Sequence, residues 1–190
     1  DILRFVDEDA ESASEMLTGY GFAVLRDGKN YTSANAGDAN NNQRDFWMYY
    51  GRNQAGHSHR DELNLGMEAY GLNIAPELGY PTDTGTNPQR LEWVRATISH
   101  NTVLVDEKDQ DGTVINGIPL HFDDSKNVKL FDVDASGAYK NTDNYRRSVI
   151  MVKVNDDISY GVDFFRVTGG NHHTYIYHSA SSKVNEVSGL

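Results

Sequence analysis

From Asp45 onward, the sequence is a succession of short β-prone segments separated by turn-forming residues, and this pattern restricts the fold more than any other feature. Valine, isoleucine, threonine and aromatic residues fill the segments, and Gly, Asn and Asp separate them, as at 155–157 and 169–171. The pattern predicts strands at 16–26, 46–50, 57–68, 72–78, 93–105, 128–133, 146–154, 158–167 and 174–177. Short strands at this spacing favour an all-β fold, a large two-sheet antiparallel β-sandwich.

Helices are expected to be few or absent. The one helix candidate is a weak pattern at 10–17, and residues 31–43, rich in Asn, Ala and Gly, are predicted to form a loop. A chain of 190 residues can bury a core without crosslinks, so we expect a single sandwich domain over 1–190. The absence of cysteine excludes disulfides, thiolate metal sites and cysteine nucleophiles.

Charge and hydropathy exclude two classes of partner. The net charge of −11 argues against nucleic acid, and no apolar stretch approaches the roughly 20 residues of a membrane helix. Between Arg44 and Arg95 there are five arginines and no lysine. Arginine is the better planar partner for a carboxylate or sulfate, although scattered structural ion pairs would explain the same residues.

The most reactive combination of side chains lies in Gly56-His57-Ser58-His59-Arg60-Asp61. In a strand, alternate side chains share a face, so His57, His59 and Asp61 would project from one side. In a helix the same three residues would fan out and fail to converge. The flanking aromatic residues and glycines favour the strand. Two imidazoles and a carboxylate on one face suggest a metal or acid–base site.

A metal site is one use of these residues. His59 can combine with Glu77, across a predicted hairpin, and with His100 from the next long strand, and a His-carboxylate-His set suits Zn²⁺ in a chain without cysteine. Two ordinary roles compete: Glu77 as a solvated turn acid and His100 as a hydrogen-bonded histidine on a strand. A cupin-like metalloenzyme is a further alternative, but its glutamate lies further along than Glu62. A serine triad lacks the strained Gly-x-Ser-x-Gly turn.

The ordered set of motifs resembles the C-terminal β-sandwich of the heparinase II/III-like polysaccharide lyases. The matching blocks cover 45–178 and comprise the runs at 56–61, 70–71, 77–80, 93–106, 145–149, 162–163 and 173–178, including Ser99-His100-Asn101-Thr102-Val103. In that family, a helical α/α toroid precedes the sandwich, and the active site lies in the cleft between them. The resemblance therefore implies that this chain is the C-terminal part of a larger enzyme and that its N-terminal toroid is missing here.

The resemblance also assigns roles to residues. His59, Glu77 and His100 match the zinc positions, where the family more often has Asp in place of Glu77, and His57 matches a histidine that faces the substrate cleft and is taken as catalytic. Asp61 is expected to orient a neighbour through a hydrogen bond. The substrate-binding candidates are Arg52, Arg60, Arg95, Tyr80 and Trp93. Trp47 and Tyr49 could also stack on sugar rings, although core packing is the commoner role of such residues.

The implied activity is β-elimination on a uronic-acid polysaccharide. The implied partners are this anionic polysaccharide and the helical domain, and the implied location is secreted or periplasmic in a bacterium. Zinc is expected to be structural rather than catalytic, because elimination needs no activated water. The alternative function is a non-catalytic carbohydrate-binding or structural sandwich that keeps the metal for stability.

Overall fold

The computed structural model describes residues 13–28, 42–54, 56–79, 85–112 and 115–181. These residues form eleven strands, which are β1 (Glu15–Leu17), β2 (Phe22–Asp27), β3 (Arg44–Tyr49), β4 (Asn64–Ala69), β5 (Leu72–Ala75), β6 (Val103–Val105), β7 (Ile118–Asp124), β8 (Val128–Asp134), β9 (Thr142–Lys153), β10 (Ser159–Gly169) and β11 (His173–Tyr175). A π-helical turn (Arg90–Val94) and two 3₁₀ turns (Thr97–Ser99 and Ser136–Ala138) are also present. Within this part of the chain, no helix has the length and hydropathy to cross a membrane.

The strands form two main antiparallel sheets. The first has the order β1-β2-β3-β4-β5, the second the order β10-β9-β8-β7, and β11 pairs with β6 in a small third sheet. Because side chains alternate along each strand, every strand of the first sheet has a core face and an outer face. The register places Ala23, Met48 and Leu65 side by side on the core face, where all three are buried.

The core lies between the two main sheets. Leu25, Met48 and Leu65 of the first sheet belong to one buried cluster with Phe131 and Val149 of the second. Phe131 and Leu25 are fully inaccessible to solvent, so the two sheets exclude water from their interface. The predicted all-β antiparallel sandwich is therefore confirmed.

The prediction of one strand over 57–68 is wrong in its first half. Residues 56–63 form turns, and β4 begins only at Asn64. The Arg60 amide donates to the Arg95 carbonyl, the Asn64 amide closes a turn on the Asp61 carbonyl, and Leu63 has a positive φ of 61°. These bonds replace a strand ladder, so the argument that His57, His59 and Asp61 share one strand face is also wrong.

The prediction of a strand over 93–105 is likewise wrong except for Val103–Val105. The Arg95 amide bonds to the Arg90 carbonyl and the Ala96 amide to the Trp93 carbonyl, so these residues form helical turns despite their β-prone composition. The sequence also failed to indicate β7, a strand without a buried residue at the edge of the second sheet. The weak helix candidate is wrong where it is described, because Glu15–Leu17 is a strand, while residues 10–12 and most of the predicted loop (31–41) lie outside the described residues.

A buried arginine in β9 connects the sandwich to its loops. The Arg147 side chain is fully buried, and its Nη1 donates to the carbonyls of Leu63 and Asn101, each at 2.6 Å. Its Nε and Nη2 donate to the Asp163 carboxylate at 2.9 and 2.8 Å. Tyr175 also donates to Asp163, at 2.8 Å. A buried charge costs little only when it is paired and hydrogen-bonded, and Arg147 meets both conditions.

We expect Arg147→Met to lower the free energy of unfolding by roughly 3–5 kcal/mol, because it removes the buried charge that balances Asp163 and the guanidinium donor to the Leu63 and Asn101 carbonyls. Urea denaturation followed by fluorescence measures the change. The adjacent Arg146 is the matched control, since its side chain is 36% exposed and its partner Asp132 keeps the hydrogen bond of Ser148 and the charge of Arg166. Arg146→Met should cost less than about 1 kcal/mol. Equal losses in the two variants would contradict this role for Arg147.

Candidate metal centre and cleft

Four side chains from three separate loops converge beside the first sheet. They form the His–acid cluster, which consists of His59, Asp61, Glu77 and His100. Their candidate ligand atoms all lie within 4.8 Å of one another. His59 and Asp61 come from the turns before β4, Glu77 follows β5, and His100 follows the second helical turn. The three residues predicted as metal ligands are thus brought together, and Asp61 joins them.

Glu77 is the centre of this cluster. Its Oε1 lies 3.2 Å from Nδ1 of His59, and its Oε2 lies 3.2 Å from Nδ1 of His100. The two imidazole rings stack at a centroid distance of 5.2 Å. Asn64 donates to Oε2 of Glu77 at 2.6 Å and accepts from the backbone amide of Asn101 at 2.8 Å. Asn64 therefore connects the carboxylate to the loop that carries His100.

The electrostatics of the cluster favour a charged Glu77. Burial acts to raise the pKa of Glu77, but hydrogen bonds and charge from His100 and His59 outweigh it and bring that pKa to about 2. Burial acts to lower the pKa of His100, but the hydrogen bond that its imidazole donates to Glu77 and the charges of Glu77 and Asp61 raise it. In the absence of a metal, a protonated His100 thus supplies the positive charge that a bound cation could supply.

Asp61 is the least satisfied member of the cluster. It is only 8% exposed, and its Oδ1 has no hydrogen-bond partner among the described residues. Burial raises its pKa to about 6, an effect that the neighbouring His100 reduces and Glu77 increases. A buried carboxylate oxygen without a donor, facing two imidazoles and a second carboxylate, fits a cation. The cluster could therefore hold a metal ion.

Hydrogen bonds from the Gln110 side chain to the backbone of Glu62 hold the turn that carries Asp61. The Gln110 side chain accepts from the amide of Glu62 at 2.8 Å and donates to the Glu62 carbonyl at 2.9 Å. It also donates to the hydroxyl of Tyr145, a fully buried residue of β9. Neither Gln110 nor Asn64 was singled out from the sequence, because lone amide side chains carry no recognisable spacing.

Three members of the cluster, His59, Asp61 and Glu77, line an open cleft of about 620 Å³. His57 is exposed and lines the cleft beside His59 and Asp61, but it is not part of the His–acid cluster. The lining also includes an aromatic wall made of Tyr20, Phe22, Trp47 and Tyr49. The cleft thus combines an exposed imidazole with an apolar aromatic surface.

The residues predicted to bind substrate lie mostly elsewhere. Arg52 is exposed at the rim, where its carbonyl accepts from the Tyr49 hydroxyl at 2.9 Å, but neither Arg52 nor Arg60 nor Arg95 lines the cleft. Trp93 is 43% exposed on the π-helical turn and meets His178 edge-on, again outside the cleft. Tyr80 lies outside the described residues. Substrate contact by these residues remains a prediction.

Arg60 and Arg95 instead group with Arg90. Burial lowers the pKa of Arg95, and the positive charges of Arg90 and Arg60 lower it further. Arg90 donates to the Gly56 carbonyl at 2.7 Å, so this group supports the turn that precedes His57. The described contacts thus give these arginines a structural role in the loop.

Comparison with protein families matches residues 10–189 to the family described as "Heparinase II/III-like, C-terminal". Comparison with curated proteins gives no significant match.

Several solved structures share the fold. A heparinase III gene product is 22% identical with a TM-score of 0.71, and the match covers 94% of this chain and 26% of that one. The heparan sulfate lyase HepC from Pedobacter heparinus is 18% identical with a TM-score of 0.65, covering 84% and 23% of the two chains. Another heparinase III is 18% identical with a TM-score of 0.64, covering 91% and 25%. The chain spans about a quarter of the length of these relatives.

The pKa shifts predict a pH window for the metal-free chain. The lowered pKa of Glu77 gives stability above its ordinary pKa of 4.5, and this stability is lost as the pH falls towards 2. The raised pKa of His100 gives stability below 6.5, and this stability is lost as the pH rises through the folded value. The Glu77–His100 pair should therefore stabilise the metal-free chain most between about pH 4.5 and 6.5.

In a chelator, Glu77→Gln should reduce the stability within this window by on the order of 2–3 kcal/mol, and by less at pH 8.5 and pH 2.5. Thermal melts at a series of pH values measure the difference in stability between the wild type and the variant. Glu68→Gln, which changes an exposed acid of the same cleft, is the control and should show no such window. An equal stability difference between wild type and Glu77→Gln at pH 5.5 and pH 8.5 would refute the role of the His100–Glu77 pair.

Proposed function

The chain belongs to the heparinase II/III-like, C-terminal family, and from this premise we propose that it is the metal-bearing β-sandwich of a polysaccharide lyase. The substrate class is a uronic-acid polysaccharide, which is cleaved by β-elimination. The observation that carries the proposal is the convergence of His59, Glu77 and His100, with His59 and Glu77 lining the same open cleft as the exposed His57. This arrangement combines a metal site with an acid–base group that remains accessible.

The chemistry requires little more than proton transfer and charge stabilisation. A base removes the C5 proton α to the uronate carboxylate, the electron pair forms the C4–C5 double bond, and the C4–O bond breaks. The departing oxygen then receives a proton. Negative charge grows on the carboxylate as the proton leaves, so a cationic or hydrogen-bonding group nearby lowers the barrier. His57 is suited to this position, because it is exposed in the cleft and an imidazole can act as a general acid or base.

The metal in this proposal is Zn²⁺ with a structural role. His59, Glu77 and His100 would hold it, and Asp61 lies close enough to join or orient them. When bound, zinc supplies a fixed positive charge that holds the three loops together. The elimination uses no activated water, so the residues of the cleft carry out the proton transfers.

The sandwich is proposed to act together with a helical domain of the same enzyme. The solved relatives are about four times as long as this chain, which leaves room for such a domain. The helical domain would form the facing side of the cleft and supply further catalytic groups. Because uronic-acid polysaccharides are extracellular polymers, the proposed location is secreted or periplasmic.

The metal site predicts one Zn²⁺ per chain. His59→Ala, Glu77→Ala and His100→Ala should each weaken zinc binding by more than about 100-fold, since outer partners alone typically change affinity 10–100-fold. Competition with a chromophoric chelator measures the affinity, and elemental analysis measures the stoichiometry. His57→Ala and the exposed control His121→Ala should both retain the metal. Loss of the metal in His57→Ala would favour the cupin-like alternative.

The activity is tested on the full-length protein that contains this chain. Cleavage should give a rising ultraviolet absorbance from the unsaturated uronate product, and His57→Ala should reduce the rate by about 10²–10⁴-fold, the usual contribution of a general acid or base. His121→Ala should leave the rate unchanged. Zinc bound at wild-type affinity with no product from any uronic-acid polysaccharide would favour the non-catalytic sandwich instead.

A further inference from the structure

The aromatic wall lies on the side of the first sheet that faces away from the core. The register aligns Phe22 with Tyr49 and Val24 with Trp47, so the outward positions of β2 and β3 carry large aromatic rings. Sandwich strands ordinarily alternate an apolar inward face with a polar outward face. Core packing therefore does not account for these rings, which instead line the cleft.

Trp47 packs at a specific position in this wall, against Gly66 of β4. It pairs across the sheet with Gly66, and a methyl group added at Gly66 would come within 1.9–2.4 Å of the indole atoms. The indole thus lies flat against the bare backbone of β4, in a place that any other residue at position 66 would fill. Glycine in a strand interior normally weakens it and often marks the close approach of another group. Here that group is the indole.

The neighbouring rings extend the surface and hold it rigid. Phe22 stacks on Trp47 with centroids 6.0 Å apart and an angle of 23° between the planes. Tyr20 meets Tyr49 edge-on at 6.1 Å. Both contacts are in the range of favourable aromatic pairs, so the rings are fixed before any ligand arrives. A rigid surface loses little side-chain entropy on binding.

We propose that the aromatic wall, centred on Trp47, binds a pyranose ring of the polysaccharide next to the unit that faces His57, an inference that rests on the proposed function. The axial C–H groups of a pyranose are slightly positive and match the negative face of an indole. The hydroxyl edge of the same ring would meet the polar side of the cleft, where His57, Ser58 and Glu68 lie. A concave site with one apolar and one polar side fits a sugar chain.

The charges of the cleft give the bound sugar an orientation. Glu68 lies on β4 at the far end from the turns that carry His57 and His59, and it repels a carboxylate. The uronate carboxylate is therefore directed towards the end of the cleft that carries His57, where zinc held by His59, Glu77 and His100 would offset the charges of Glu77 and Asp61. The ring on Trp47 is held by its C–H face rather than by its charge, so a neutral sugar should also bind there.

The two tryptophans of the chain allow a direct test, because only Trp47 lies in the cleft. In the zinc-loaded chain, Trp93→Phe leaves Trp47 as the only indole, and Trp47→Phe leaves Trp93. The probes are hexasaccharides of heparan sulfate and of alginate, with cellohexaose as the neutral sugar. At least one probe should shift the emission of Trp47 and leave that of Trp93 unchanged. By calorimetry, Trp47→Ala should weaken binding about tenfold.

Tyr160→Ala, which removes an exposed aromatic residue of the second sheet, should bind the same probe with wild-type affinity. An emission change confined to Trp93 would overturn the proposal and support the sequence prediction for Trp93. No change with any probe, or a concentration-dependent dimer that Trp47→Ala abolishes, would also overturn it. Sedimentation velocity detects the dimer.

The outcome is separable from that of the proposed function. If a probe shifts Trp47 but the full-length protein forms no unsaturated product, the aromatic wall stands and the lyase proposal fails. If product forms and Trp47→Ala changes neither sugar affinity nor KM, the lyase proposal stands and the aromatic wall has no role in binding.

Discussion

The buried guanidinium of Arg147 is the contact on which the rest of the site depends. It lies in the longest strand of the second sheet, yet two of its hydrogen bonds reach the carbonyls of Leu63 and Asn101. Leu63 follows the turn with Asp61, and Asn101 follows His100. One rigid, planar group in the core therefore sets the distance between two loops that have no strand ladder of their own. Asp163 and Tyr175 in turn fix the guanidinium.

The His–acid cluster shows what this support permits. Three loops place two imidazoles and two carboxylates within a few ångströms, where burial alone would disfavour the charged forms. Glu77 stays ionised because both histidines and Asn64 contact it. Oδ1 of Asp61 has no hydrogen-bond donor in the described part of the chain. The protein thus concentrates negative charge in a partly buried site. This arrangement is favourable when a cation or a protonated histidine is present.

The sequence predicted the fold because alternation and turn residues act locally, and strands at regular spacing leave few arrangements besides a sandwich. It predicted that His59, Glu77 and His100 would meet, although the reason given for the histidine motif was wrong. The turns at 56–63 depend on an amide–carbonyl bond between Arg60 and Arg95, a partner 35 positions away, and no local pattern reveals such a bond. The contact between Trp47 and Gly66 could not be predicted for the same reason, since the sheet register alone makes these two residues neighbours.

The outward residues of β4 are Asn64, Gly66 and Glu68, spaced about 7 Å apart along a strand. The first contacts the His–acid cluster, the second receives the indole, and the third is an exposed carboxylate. This order makes the two ends of the cleft chemically different. A linear sugar polymer has distinct reducing and non-reducing ends, so it cannot lie equally well in both directions along this strand. For a polymer bound along β4 as proposed, the sheet register would therefore also fix the direction of the chain.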